Sequence, residues 1–371
     1  MRRLLVTALL GLTLSTQASA QNYYLLHGLN DNRELWGTFK TWLPTSSAYA
    51  YNYDSLTQGI AQQALQVNAE VDAYTGTVTP YVLIGHSQGG LRARYYAQYI
   101  APQTGKAQNL KGLMTIGTPH QGAPIINNGP ALITRINRDV SIASIGLANV
   151  GLGLVTGNTS LQSQRALAFL FQRPQGVADL DPSSDFLKTL NNTRTVAGNC
   201  RWVSVNLIIY TRWYQICDQV PDPGNAPIPG NVVTASVVGT QNNLFNAYPE
   251  GRTYRNAAVG IGSVIAAGWS AAAFWTFGAT IPMAAAGWDF VYVAANAENI
   301  WQNEVVGSTE GDFIVPKASQ NIYAANPNLG GAGRYTYYVN ATHTSSNPTT
   351  EEAGNNDTRA ALQDFNLRLA R

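Results

Sequence analysis

Short apolar runs and amphipathic stretches alternate along the first third of the chain. Residues 23–26 form an apolar run that predicts a strand. Residues 33–43 place Leu35, Trp36, Phe39, Trp42 and Leu43 on one helical face. Ile60, Ala64, Val67, Val71 and Tyr74 recur at alternating spacings of four and three, which predicts a second helix. Ser55 and Gln58 ahead of it match a capping box, and Gly76 supplies a stop. Residues 77–84 then read as a strand, 88–100 as a helix and 110–116 as another strand. Strands alternating with helices predict a mostly parallel sheet flanked by helices, an α/β fold.

After Gly122 the alternation is lost. Residues 142–155 are uncharged and rich in Gly, Ala and Leu, and residues 221–229 hold four prolines, which predicts a loop. Residues 203–210 alternate as a strand would. Between Arg255 and Asp289 lie 33 residues without a formal charge. Strand patterning resumes at 313–315 and 335–339. No fixed-period repeat and no clear linker interrupt the chain. It therefore reads as one domain over 21–371 with insertions at about 123–200 and 220–305.

Residues 1–20 change the picture of where the protein works. Arg2 and Arg3 precede an apolar run from Leu4 to Leu14, and Ala18-Ser19-Ala20 has the form of a cleavage site. This is the pattern of a secretory signal peptide, with Gln21 as the expected mature start. Without Arg2 and Arg3, 21 basic residues face 21 acidic ones. No basic stripe stands out, which argues against nucleic acid as a partner. Cys200 and Cys217 are the two cysteines, and in an oxidising compartment such a pair predicts a disulfide.

The chemistry concentrates in residues 80–91, PYVLIGHSQGGL. Gly85-His86-Ser87-Gln88-Gly89 follows an apolar run and opens a helix-compatible segment, the strand–turn–helix setting of a nucleophile elbow. Ser87 is the expected nucleophile, and the N–H of Gln88 is expected to face a developing oxyanion at the helix start. A serine nucleophile needs a histidine base and a carboxylate to orient it. The chain has four histidines. His27 and His86 belong to glycine-rich turns, and His86, beside the serine, faces the wrong way to be its base. His343, on a polar loop after a late strand, is preferred over His120. For the acid, Asp312 in Gly-Asp-Phe-Ile-Val-Pro is preferred over Asp218, and Ser87, Asp312 and His343 follow the chain order of the α/β-hydrolases.

Four segments sharpen this: LLHGLN at 25–30, IGHSQGG at 84–90, IGTPHQG at 116–122 and GDFIVPKAS at 311–319. In this order they resemble the secreted bacterial lipases and esterases of the α/β-hydrolase superfamily, and also the GPI inositol-deacylase-like proteins. The resemblance implies an α/β-hydrolase fold and a secreted serine carboxylic-ester hydrolase acting through an acyl-enzyme on apolar acyl esters. It assigns Leu29 as a second oxyanion donor beside Gln88, makes His120 structural and supports Asp312 over Asp218. Acyl transfer by the same residues, peptide hydrolysis, or lipid binding without catalysis on a retained fold are the alternatives.

The partner expected is a lipid or other apolar ester, with transient contact to a lipid surface. The uncharged stretch 256–288, with Trp269, Phe274, Trp275 and Phe277, is expected as a lid or channel wall, against core or membrane roles. Residues 142–155 would form an opposing wall. No cofactor is expected. Glu351, Glu352 and Asp357 are candidates for a structural calcium, set against plain solvation.

Overall fold

Neighbouring residues of the central strands are buried in opposite layers, because side chains alternate across a pleated sheet. The computed structural model describes residues 21–44, 47–75, 78–131, 172–207, 210–222, 224–243, 281–345 and 347–370, with isolated residues between 132 and 280. Its main sheet has six strands: β1 (Asn22–Leu26), β2 (Ala48–Ala50), β3 (Tyr81–His86), β4 (Leu110–Ile116), β7 (Val233–Gly239) and β8 (Gly333–Val339). Their order is β2-β1-β3-β4-β7-β8, and every neighbouring pair is parallel. Register runs Leu25↔Ile84, Ile84↔Met114, Met114↔Ala235 and Ala235↔Tyr335 across the middle.

Tyr24, Leu26, Tyr81 and Leu83 pack under α1 (Ile60–Tyr74) and α2 (Gln88–Tyr95), against Ala64, Val67, Val71 and Ala93. Tyr23, Leu25, Val82 and Ile84 face the other way, toward Trp36, Phe39 and the C-terminal helix. There the α4 helix (Asn356–Leu369) contributes Ala361, Leu362 and Phe365, while α3 (Ile281–Ala295) lies earlier in the chain. A parallel sheet covered on both faces explains why its strands read as unbroken apolar runs. This is the α/β-hydrolase fold. Among the described residues no helix is long and apolar enough to cross a membrane.

Several expectations are corrected. Residues 33–43 form a 3-10 turn (Arg33–Trp36) and one α turn (Gly37–Lys40), with Asn32 capping. Ser55 does not cap α1: its Oγ accepts the N–H of Asn30, and Asp179 accepts the N–H of Ile60. Residues 203–210 are not one strand, because β5 ends at Leu207 and β6 starts at Tyr210. β5 (Thr195–Leu207) and β6 (Tyr210–Pro221) form a separate antiparallel pair. Cys200 lies directly opposite Cys217 there, and the two are joined as a disulfide.

Residues 313–315 are a turn and not a strand. The Asp312 carboxylate accepts the N–H groups of Ile314 and Val315, which takes them from any ladder. In contrast, β7 lies inside the stretch read as the second insertion. The leader, residues 142–155 and most of 256–280 fall outside the described residues.

Candidate active site

Site residues collect at the carboxyl ends of the parallel strands, the usual place for a site in such sheets. Ser87 follows β3 directly and caps α2 with φ 53° and ψ −129°. That conformation is costly for a side chain other than glycine and is the signature of a strained elbow. The crowding around it explains the glycines. A Cβ on Gly89 would overlap the carbonyl oxygen of Leu26, and one on Gly85 would overlap the backbone of Gly89 and Gly90. A Cβ on Gly28 would come 2.7 Å from the Cβ of Ser87, so the loop carrying Leu29 lies against the serine. The Gln88 side chain is buried and donates to the carbonyls of Ser55 and Gly176, which ties the start of α2 to a loop and to the short helix Gln175–Ala178.

His343 follows β8. Its Nε2 lies 2.8 Å from Ser87 Oγ, and its Nδ1 lies 2.8 Å from Asp312 Oδ2. The backbone N–H of His343 also donates to the carbonyl of Asp312. Asp312 is fully buried, and its other carboxylate oxygen accepts from Val315 at 2.6 Å. Burial pushes its pKa up to about 6, opposed by His343. For His343 burial works against the charged ring, but the carboxylates of Asp312 and Glu352 outweigh it and raise its pKa to about 10. Ser87 is 9 % exposed and His343 6 %, so the serine–imidazole pair is almost withdrawn from water.

The competing residues have other employment. His120 is fully buried, with one ring nitrogen 3.1 Å from Thr115 Oγ1 and the other 3.3 Å from an Arg94 nitrogen. Burial, then Arg94, holds its pKa well below the ordinary value. His27 Nε2 accepts the N–H of Tyr53. Asp218 is exposed on β6, outside the main sheet. Of the acids considered for calcium, Asp357 is exposed and its carboxylate accepts from Asn340, whereas Glu352 points inward.

Glu352 and His86 are the residues whose part in this site sequence reasoning missed. Glu352 lies 3.5 Å from His343 Nδ1 and 3.6 Å from His86 Nε2, and the rings of His86 and His343 lie 4.9 Å apart. With Nδ1 of His343 turned to Asp312 and Nε2 to Ser87, neither nitrogen is left for a metal. The group is an acid–base network. Glu352 directly follows an acidic neighbour in a polar tail, and nothing local in the sequence signals that it is buried.

Two triacylglycerol lipases, from Pseudarthrobacter phenanthrenivorans and Burkholderia plantarii, are each 42% identical to this chain over 73 residues. The matched part is 20% of this chain and 21% and 18% of theirs, so the chain spans about a fifth of the length of these relatives. Among solved structures, the mature Bacillus licheniformis lipase BlEst2 aligns with TM-score 0.44 and 12% identity, over 94% of this chain and 92% of that one. MenH from S. aureus aligns with TM-score 0.37 and 11% identity, over 95% of both chains. Residues 24–212, just over half of the chain, match the palmitoyl protein thioesterase family, and the chain belongs to that family.

Proposed function

We propose that this protein is a secreted serine hydrolase of carboxylic esters with apolar acyl chains, working through an acyl-enzyme. The observation that carries the reading is the unbroken line from Ser87 Oγ through His343 to Asp312, with 2.8 Å at each step. As the Ser87 oxygen attacks the ester carbonyl, its proton passes to His343 Nε2. Asp312 keeps the other ring proton on Nδ1 and stabilises the imidazolium that forms. The N–H groups of Leu29 and Gln88 take up the charge on the carbonyl oxygen. His343 then protonates the leaving alcohol, and water repeats the sequence in reverse to free the acid. This chemistry needs no cofactor.

Thioesters would react through the same steps, and the family to which the chain belongs supports including them. The leader pattern at residues 1–20 and the Cys200–Cys217 disulfide support export. A chain-length series of p-nitrophenyl esters and matched acyl thioesters, on wild type and Ser87→Ala, tests the reading. A fluorophosphonate should label Ser87. Undiminished ester and thioester turnover in the alanine variant would refute the mechanism.

A further inference from the structure

Glu352 is fully buried, and neither of its carboxylate oxygens has a hydrogen-bond partner among the described residues. Its charge is balanced instead by the two histidines, His343 at 3.5 Å and His86 at 3.6 Å, and a buried charge needs such partners. Its place is nevertheless well built. A Cβ on Gly117 or on Gly239 would overlap one of the two carboxylate oxygens, so the ends of β4 and β7 make room for them. The backbone holds it beside the base: Glu352 N–H donates to the carbonyl of Thr342, and Thr342 N–H donates to that of Thr350.

We propose that Glu352 is a second carboxylate on the base, a positioning residue that acts through the Nδ1 edge of His343 and sets the pH at which that base becomes available. The proposal rests on the reading of Ser87, His343 and Asp312 given above. The groups facing His343 are Ser87 and His86 from the end of β3, Asp312 from the turn before Val315, and Glu352 from its own loop. Glu351 is a more distant neighbour of the two histidines. Only the neutral imidazole can accept the serine proton. Two buried carboxylates favour the charged ring, so turnover should rise only in the alkaline range. Removing one negative charge should lower the pKa of His343 and bring activity to lower pH. Glu352 itself is held below its ordinary value, its burial outweighed by His343 and His86.

The test is the pH profile of kcat/KM on a short soluble ester for wild type, Glu352→Gln and Glu352→Asp, with Ser87→Ala as control. Imidazole titration by nitrogen-15 NMR is run on each. Glu352→Gln should move the acid limb down by about one pH unit or more, a gain of at least about tenfold on that limb, while the alkaline plateau stays within a few-fold. The His343 titration should move with it, and Glu352→Asp should fall between. An unmoved limb and an unmoved titration in folded Glu352→Gln overturn the proposal. If that variant does not fold, Glu352→Asp decides, and a profile identical to wild type overturns it. Activity surviving in Ser87→Ala would strike the catalytic reading instead, and the NMR titration would still judge Glu352.

Discussion

Ser87 sits between a strand and a helix, in a turn where Gly85 and Gly89 leave no space for a side chain. His343 sits in a loop after β8, where side chains and a few backbone hydrogen bonds from distant segments hold it. Ser87, the proposed nucleophile, is positioned by local backbone conformation, within one strand–turn–helix unit. His343, the proposed base, is positioned by convergence, from residues 87, 312 and 352. A backbone-built site should break by steric intrusion, whereas a convergent one should break by loss of charge or of a single partner.

The largest effect expected is at Ser87 itself. Ser87→Ala should lower kcat roughly 10³-fold or more without unfolding the protein, read by steady-state kinetics and circular dichroism. Next comes the convergent side. Asp312→Asn should cost about 10²- to 10⁴-fold in kcat through misorientation of the ring, while Asp218→Asn should match wild type. A reversed pattern would move the acid to the hairpin.

Gly89→Ala tests the backbone half of the contrast. The new methyl meets the carbonyl of Leu26, so the elbow must shift. The expected cost is about 1–3 kcal/mol in a denaturant melt, with about 10²-fold in kcat/KM. Wild-type kinetics and stability in this variant would show that the elbow tolerates displacement.

Replacing Cys200 and Cys217 by serine should cost up to about 3 kcal/mol of stability. Turnover by the folded protein should change little, because the hairpin lies outside the six-stranded sheet. A large loss of kcat in folded protein would tie the hairpin to the site.

The smallest effect concerns Glu70 on α1, whose pKa burial pushes up to about 7 against the pull of Tyr53 and Arg92. A raised carboxyl pKa favours the folded state below the unfolded value, and that contribution is lost as pH rises through about 7. Glu70→Gln should therefore raise the unfolding free energy at pH 8 by about 1–2 kcal/mol after solvent screening, seen as a higher Tm, and leave both nearly unchanged at pH 4. An equal shift at both pH values would rule out ionisation as the cause.

The chain by itself determined what neighbouring residues can encode. The 110–116 strand matches its pattern to the residue, and α1 starts at Ile60 as its periodicity implies. GHSQG marks Ser87 because the strand, the tight turn and the helix start are consecutive. Tertiary structure decided the rest. β7 escapes the sequence pattern because Val233–Gly239 is an internal strand with Thr, Ala and Ser buried on both faces, which removes the alternation. Residues 313–315 are patterned as a strand, but the Asp312 carboxylate draws the N–H groups of Ile314 and Val315 into a turn. Glu352 reads as one more acid in a polar tail. Only the folding of β4 and β7 beside it, which brings Gly117 and Gly239 against its oxygens, buries it next to His343. Its burial depends on Gly117 and Gly239, and part of its charge coupling on His86, all more than a hundred positions away, and no local pattern carries that distance.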